Sequence, residues 1–263
     1  MTNVNFIICG RLGNAIFRYF ACSLLCILYK GTYTINNLEK CNFDDKHFSI
    51  LSNMLLNNIS IPNNIPSVNM LGYYQHCKIY KLNKNNILYF MKNHTEHYVL
   101  TDGINAGDGN HQKFFIKDII NTPENFIKKY KNVLHLRLED FVKHNLYIPK
   151  ERIIDLIKKS IVNIIKEPLC IVLNKPTTDF EEYYLKCITD VLKEYNVSVV
   201  IESNDVLTDF HIMKEADLLI CSMSTLSWCA AFLSTNIKIC YLPNYESQTH
   251  MDCKYPIDNT FLY

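Results

Sequence analysis

The second half of the chain alternates short apolar runs with longer stretches of helical periodicity. Residues 133–137, 169–173, 197–202 and 237–242 are brief, mostly aliphatic and bounded by polar side chains, which predicts strands. Between them, residues 149–166 and 180–195 repeat apolar positions at helical spacing and predict helices. Residues 209–228 compress the same alternation: a short helix, the buried strand Leu218-Leu-Ile-Cys221, then a hydroxyl-rich turn opening a helix from Leu226 to Leu233. Strands alternating with helices imply βαβ units and a parallel sheet covered on both faces, with ligands at the carboxyl ends of the strands.

The first half is less regular. The apolar run 5–9 leads through Gly10-Arg-Leu-Gly13-Asn14 into a helical pattern from Ala15 to Tyr29, so a strand, a tight loop and a helix are expected. Residues up to about 92 are rich in Asn and Lys; 51–56 and 87–91 read equally as helix or strand. Residues 98–101 predict a strand, followed by a Gly- and Asn-rich loop. Thr122-Pro123 predicts a helix start, with Thr122 as N-cap and Pro123 in the first turn. A division near Pro123 yields two Rossmann-like α/β halves, 1–124 and 125–263, with the site in the cleft between them.

Composition narrows the class. With 263 residues, 48% of them hydrophobic, the chain buries a full core. A net charge of +1 gives no long-range pull toward nucleic acid or an anionic membrane, so any basic site is local. Eleven cysteines, many inside apolar runs, read as buried reduced thiols and so a cytoplasmic chain; Cys22 and Cys26 lie one helical turn apart on a core face, and no spacing suggests zinc. The N-terminus lacks the order of a signal peptide, and residues 19–29 are too few to span a bilayer.

The Ser/Thr turn before Leu226 suits an anion. A helix N-terminus offers unpaired N–H groups and the positive end of the helix dipole, so Ser222, Ser224 and Thr225 either hold a phosphate or simply cap the helix.

Four segments, in order, resemble the glycosyltransferase family 11 fucosyltransferases, which make α-1,2-fucosyl linkages. They are Gly10-Arg11-Leu12-Gly13-Asn14-Ala-Ile-Phe17-Arg-Tyr19; Gly72-Tyr73-Tyr74-Gln75-His-Cys-Lys78-Ile-Tyr80; His135-Leu-Arg137-Leu-Glu-Asp140-Phe141; and Met213 through Ser224-Thr225-Leu-Ser227-Trp228-Cys-Ala230. The resemblance implies a GT-B fold, with 1–124 on the acceptor side and 125–263 binding the nucleotide sugar. It also implies a GDP-fucose donor, a glycan acceptor, inversion at the anomeric carbon and no required metal. The chain departs from the family at Leu138, where a second arginine is expected, and at Met223, Leu226 and Cys229. Leu138 motivates two alternatives: a transferase using another nucleotide sugar, or a non-catalytic relative that binds a nucleotide or glycan.

Without a metal, arginine must stabilise the charge that grows on the diphosphate, and Arg137 is the first candidate; its alternative is an ion pair with Asp140 or Glu139. His135, on the same strand face, hydrogen-bonds phosphate or ribose, or is a satisfied core histidine. The resemblance assigns Asp209 to the guanine N–H groups; otherwise it is a helix N-cap, a place Thr208 fills equally well. Asp217 ends the helix or supports its loop. Ser224 and Thr225 are expected at the β-phosphate, with Arg11, Gly13 and Asn14 contributed by the other half unless Gly10–Asn14 is a plain turn. Tyr73 and Gln75 are expected on the acceptor side. Asp140 either takes the acceptor proton or only orients Arg137, with Asp102 and Glu139 as other bases.

Overall fold

The structure, a computed structural model, describes residues 3–6, 10–29, 32–33, 67–70, 75, 77–101, 111–244 and 256–263, with backbone alone at 3–6, 28–29, 32–33 and 67–70. These residues form two compact units, one within Met1–Pro123 and the other comprising Glu124–Ser247 and Tyr255–Tyr263.

In the first unit, β1 (Asn3–Phe6) pairs in parallel with β2 (Thr32–Tyr33) on one side and β3 (Ser67–Met70) on the other. Gly10, at φ 80, turns the chain into α1 (Leu12–Tyr29), a conformation that would strain a residue bearing a Cβ. This helix begins before the expected Ala15, so Gly13 and Asn14 lie in its first turn rather than in a loop. Nearly every side chain from Leu12 to Cys26 is buried, the signature of a helix enclosed on all faces. Phe17 and Phe20 pack on Tyr80 of α2 (Cys77–Leu82), with ring centroids 5.7 and 5.6 Å apart. Residues 87–91 resolve as helix within α3 (Lys84–Asn93), whose Ile87 and Met91 face the core; 51–56 lie outside the described residues.

The strand at 98–101 forms as β4 (Tyr98–Thr101), but it pairs antiparallel with β5 (Gln112–Phe115) in a sheet of its own, followed by α4 (Ile116–Ile120). The helix expected at Thr122-Pro123 does not form. From Asn121 to Lys131 the chain is extended or turned, with Phe126, Lys128 and Tyr130 half-buried while Ile127, Lys129 and Lys131 face solvent. That alternation has period two and offers no helical face to bury.

The second unit holds a six-stranded, wholly parallel sheet in the order β11-β10-β9-β6-β7-β8. Its strands are β6 (Asn132–His135), β7 (Leu169–Val172), β8 (Val199–Glu202), β9 (Leu218–Ile220), β10 (Ile239–Leu242) and β11 (Thr260–Leu262). Strands β6, β7 and β9 are buried throughout, which explains why they read as continuous apolar runs rather than alternating ones. β11, an edge strand, was not anticipated, because Thr260-Phe-Leu262 is too short to carry a pattern.

Among the described residues, the helices α5 (Glu139–Lys143), α6 (Lys150–Leu156), α7 (Asp179–Glu194), α8 (Val206–Lys214) and α9 (Thr225–Leu233) connect or flank these strands. The single helix expected at 149–166 is interrupted: after α6 a π-helical turn, Ile157–Ile161, leads into a last short turn, Val162–Ile164. Ile153, Ile157 and Ile161 are all buried at a strict spacing of four, which a wider turn keeps on one face. In α9, Trp228 stacks on Phe232 at 5.1 Å inside the core.

The thiols Cys22, Cys26, Cys170, Cys187, Cys221, Cys229 and Cys240 are free. Cys77 departs from the expectation of reduced cysteines throughout, because it is held in a disulfide. Spacing cannot reveal such a pairing, which depends on which Cα atoms the fold brings close. Among the described residues no helix is long and apolar enough to cross a membrane.

Candidate functional site

The strand order of the second unit reverses between β6 and β9. Successive strands add outward from β6 through β7 to β8, then from β9 through β10 to β11 on the other side. Loops leaving the carboxyl ends of β6 and β9 therefore diverge and leave a crevice, the place where open parallel sheets bind ligands. His135 ends β6, and Ser222 follows β9. Their side chains meet across the reversal, His135 Nδ1 to Ser222 Oγ at 2.7 Å, both nearly fully buried. Burial, and secondarily Arg137, pushes the His135 pKa down to about 3, so the imidazole is neutral at physiological pH.

Beyond Ser222 the chain enters α9. Ser224 is the N-cap, its Oγ accepting from the Leu226 N–H at 3.2 Å, and Thr225 opens the helix half-buried. Ser224 thus does the capping, and Ser222 is engaged by His135. The N-terminus of α9, the positive end of its dipole, thus follows β9 at the reversal.

Arg137 lies past the end of β6, with its side chain 16% exposed. Its Nη2 donates to Asp140 Oδ1 at 2.8 Å, Nη1 lies 3.7 Å from Glu139 Oε2, and the guanidinium stands 5.3 Å from the Phe141 ring centroid. The ion pair considered as the alternative is therefore present. Leu138, where the resemblance led one to expect a second arginine, is buried.

Glu139, an alternative base and a candidate ion-pair partner of Arg137 in the sequence, is tightly held in this loop. Its φ is 37, in the left-handed region, and its N–H donates to Glu181 Oε1 at 2.9 Å. Asn174, after β7, donates to its carboxylate. Neither Glu181 nor Asn174 was singled out in the sequence, although Thr178-x-x-Glu181 is a capping-box pattern, and the box is formed.

Asp209 is a buried residue inside α8. Neither it nor Thr208 is the N-cap; Asp205 is, accepting from the N–H groups of Leu207 and Thr208 at 3.0 Å each. Asn204 Nδ2 donates to Asp209 Oδ1 at 2.9 Å and to Glu202 Oε2 at 3.0 Å, while its Oδ1 accepts from Lys128 Nζ at 2.7 Å. Lys128 also pairs with Glu202 at 2.7 Å, and Tyr130 donates to the same carboxylate. Burial raises the Asp209 pKa to about 6, against the pull of Asn204. Glu202 behaves oppositely: burial raises it, but donors from Lys128, Tyr130 and Asn204 outweigh that and hold it low. Asp217 lies beyond α8 and pairs with Lys238 at 2.9 Å.

In the first unit, Arg11 is exposed just before α1, Gly13 is buried, and Asn14 Oδ1 accepts from Gln75 Nε2 at 3.4 Å. Residues assigned to donor and acceptor roles are thus neighbours there. Tyr73 and Asp102 lie outside the described residues. Among the described residues, no three His, Cys, Asp or Glu side chains converge as a metal site. Cys22 and Cys26 approach to 3.8 Å between sulfurs, and burial drives the Cys22 thiol pKa well up.

The sequence matches no protein-family model and no curated protein. Solved structures show a distant likeness. One is an Arabidopsis thaliana FUT1 mutant in complex with GDP, 10% identical over 87% of this chain and 68% of that one, with a TM-score of 0.44. Another is the E. coli heptosyltransferase WaaC with ADP-2-deoxy-2-fluoro heptose, 10% identical over 100% of this chain and 93% of that one, with a TM-score of 0.40.

Proposed function

We propose that the chain is a GT-B glycosyltransferase that moves L-fucose from GDP-fucose, with inversion, to a hydroxyl of a glycan acceptor, O2 of a galactose-like unit. The observation that carries this reading is the reversal of the sheet order between β6 and β9, where Arg137 follows β6 and the N-terminus of α9 follows β9. The four-segment resemblance supports the donor.

In this reading the leaving diphosphate meets two positive elements, the Arg137 fork and the α9 amides, which stabilise charge as the glycosidic bond breaks. The neutral His135 and Ser222 supply hydrogen bonds without adding charge. Asp209 is the acceptor for the guanine edge, with Asn204 already donating to one of its carboxylate oxygens. Arg11, Gly13 and Asn14 are assigned to the donor, Tyr73 and Gln75 to the acceptor. Asp140 holds Arg137 and is the candidate for taking the acceptor proton. No metal is required in this reading.

Thermal shift with GDP, UDP, CDP, dTDP and their sugars, with and without EDTA, is the first test. Stabilisation by GDP and GDP-fucose that survives EDTA supports the proposal, because a ligand binding only the native state stabilises it by mass action. A shift confined to UDP or dTDP discards fucose.

Leu138 favours a second reading, in which the chain binds GDP but transfers nothing. Turnover by Leu138→Arg alone, with none by the wild type, would support that reading.

A further inference from the structure

The carboxylate of Glu181 does more than cap its helix. Its Oε2 accepts from Thr177 N at 2.7 Å, Thr177 Oγ1 at 3.1 Å and Thr178 N at 3.1 Å, which holds the loop after β7. Its Oε1 accepts from the backbone of Glu139, 42 residues earlier, at 2.9 Å. A capping box needs no such fourth bond.

Glu181 is only 3% exposed. Burial alone would raise its pKa, yet the converging N–H and O–H donors outweigh burial and keep it below the usual carboxylate range. The bonded partner, Glu139, is a non-glycine residue at φ 37, a conformation that persists only where its surroundings enforce it. Glu139 stands between Arg137 and Asp140, so its backbone angle sets the direction from which both side chains leave the loop. Its own carboxylate accepts from Asn174 and lies 3.7 Å from Arg137.

We infer that Glu181 is a positioning residue for Arg137: one buried carboxylate pins the strained Glu139 backbone and thereby aims the guanidinium that the donor reading places on the diphosphate. The inference rests on that reading for the ligand, but the mechanical part stands by itself.

Glu181→Gln sets an amide N–H against one of the two donor groups. Hydrogen exchange across residues 136–141 is expected to quicken, and affinity for GDP to fall about tenfold, the effect of releasing one strained residue. Affinity for GMP, which lacks the β-phosphate, should fall less. Adding Glu139→Gly to this variant should recover most of the GDP affinity, because glycine takes positive φ without strain. If Glu181→Gln does not fold, Glu139→Val applies the same test with the capping box intact: a β-branched residue opposes positive φ, so the loop should loosen and GDP bind more weakly.

Equal losses for GDP and GMP, without rescue by glycine, would make Glu181 a structural cap only and overturn the inference. So would unchanged exchange at 136–141 in both Glu181→Gln and Glu139→Val. A wild-type chain that binds neither GDP nor GMP would overturn the donor reading, and with it the role claimed for Arg137, even if the loop loosens as expected.

Discussion

At the scale of single residues, two buried titratable groups pull stability in opposite directions. His135 has its pKa lowered from 6.5 to about 3. Its contribution is present above pH 6.5 and drains away as pH falls toward 3, because the unfolded chain takes up the proton first. Asp209 has its pKa raised from 3.8 to about 6, so its contribution is present below 3.8 and is lost as pH rises through 6. Between these limits the two slopes oppose each other. Asp209→Asn removes one of them, and its denaturation midpoint should therefore fall more steeply than the wild type's from pH 6 to 4. Parallel profiles would show that Asp209 is already ionised in the folded protein. Sequence reasoning singled out both residues, yet neither environment was legible. His135 looked equally like a ligand or a core histidine, and the Ser222 bond that decides its partner spans 87 positions. Asp209 reads equally as a guanine acceptor or a helix N-cap, and Asp205, the actual N-cap four residues earlier, carries no signal that sets it apart from Asp209 or Thr208.

At the scale of elements, the hydroxyls around α9 have separable jobs. Ser224→Ala removes an N-cap and should cost about 1 kcal/mol. Ser222→Ala strands a buried imidazole nitrogen and should cost more, about 2 kcal/mol, since leaving a buried polar group unpaired is worse than losing a part-buried cap bond. Urea denaturation of the two variants tests the order; the reverse would mean that the His135–Ser222 bond is replaced on mutation. The elements that could be read were those whose pattern has one cause. Strands β6, β7 and β9 are buried on both faces and appear as plain apolar runs, and α7 has a clear amphipathic repeat. Thr122-Pro123 misled because turn chemistry there matches a helix start, while the side chains that follow are spaced for an extended segment held to Glu202 by Lys128 and Tyr130. A helix signal at its first residues has little force when no apolar stripe follows it.

At the scale of the whole molecule, the alternation of strands and helices sufficed for the parallel sheet of the second unit, and its order could not be read because nothing local encodes which strands are neighbours. That order matters for energetics. In a sheet reversing between β6 and β9, a ligand bound at the reversal touches loops from two central strands, each with a neighbour on both sides. Its binding energy is therefore expected to add to the stability of the whole six-stranded sheet rather than of one loop. The first unit has its own core around α1 and its own three-stranded sheet, so nothing obliges it to gain as much. Native-state hydrogen exchange with saturating GDP measures this directly. Slowest-exchanging amides of β6, β7 and β9 should gain protection by RT ln(1 + [L]/Kd), about 2.7 kcal/mol at a hundredfold excess over Kd. Amides of α1 beyond the first turn, which carries Gly13 and Asn14, should gain less. An equal gain in α1 would mean that the two units open as one cooperative structure, whereas a gain restricted to 136–141 and 222–226 would mean that the site closes and opens locally, without drawing on the sheet beneath it.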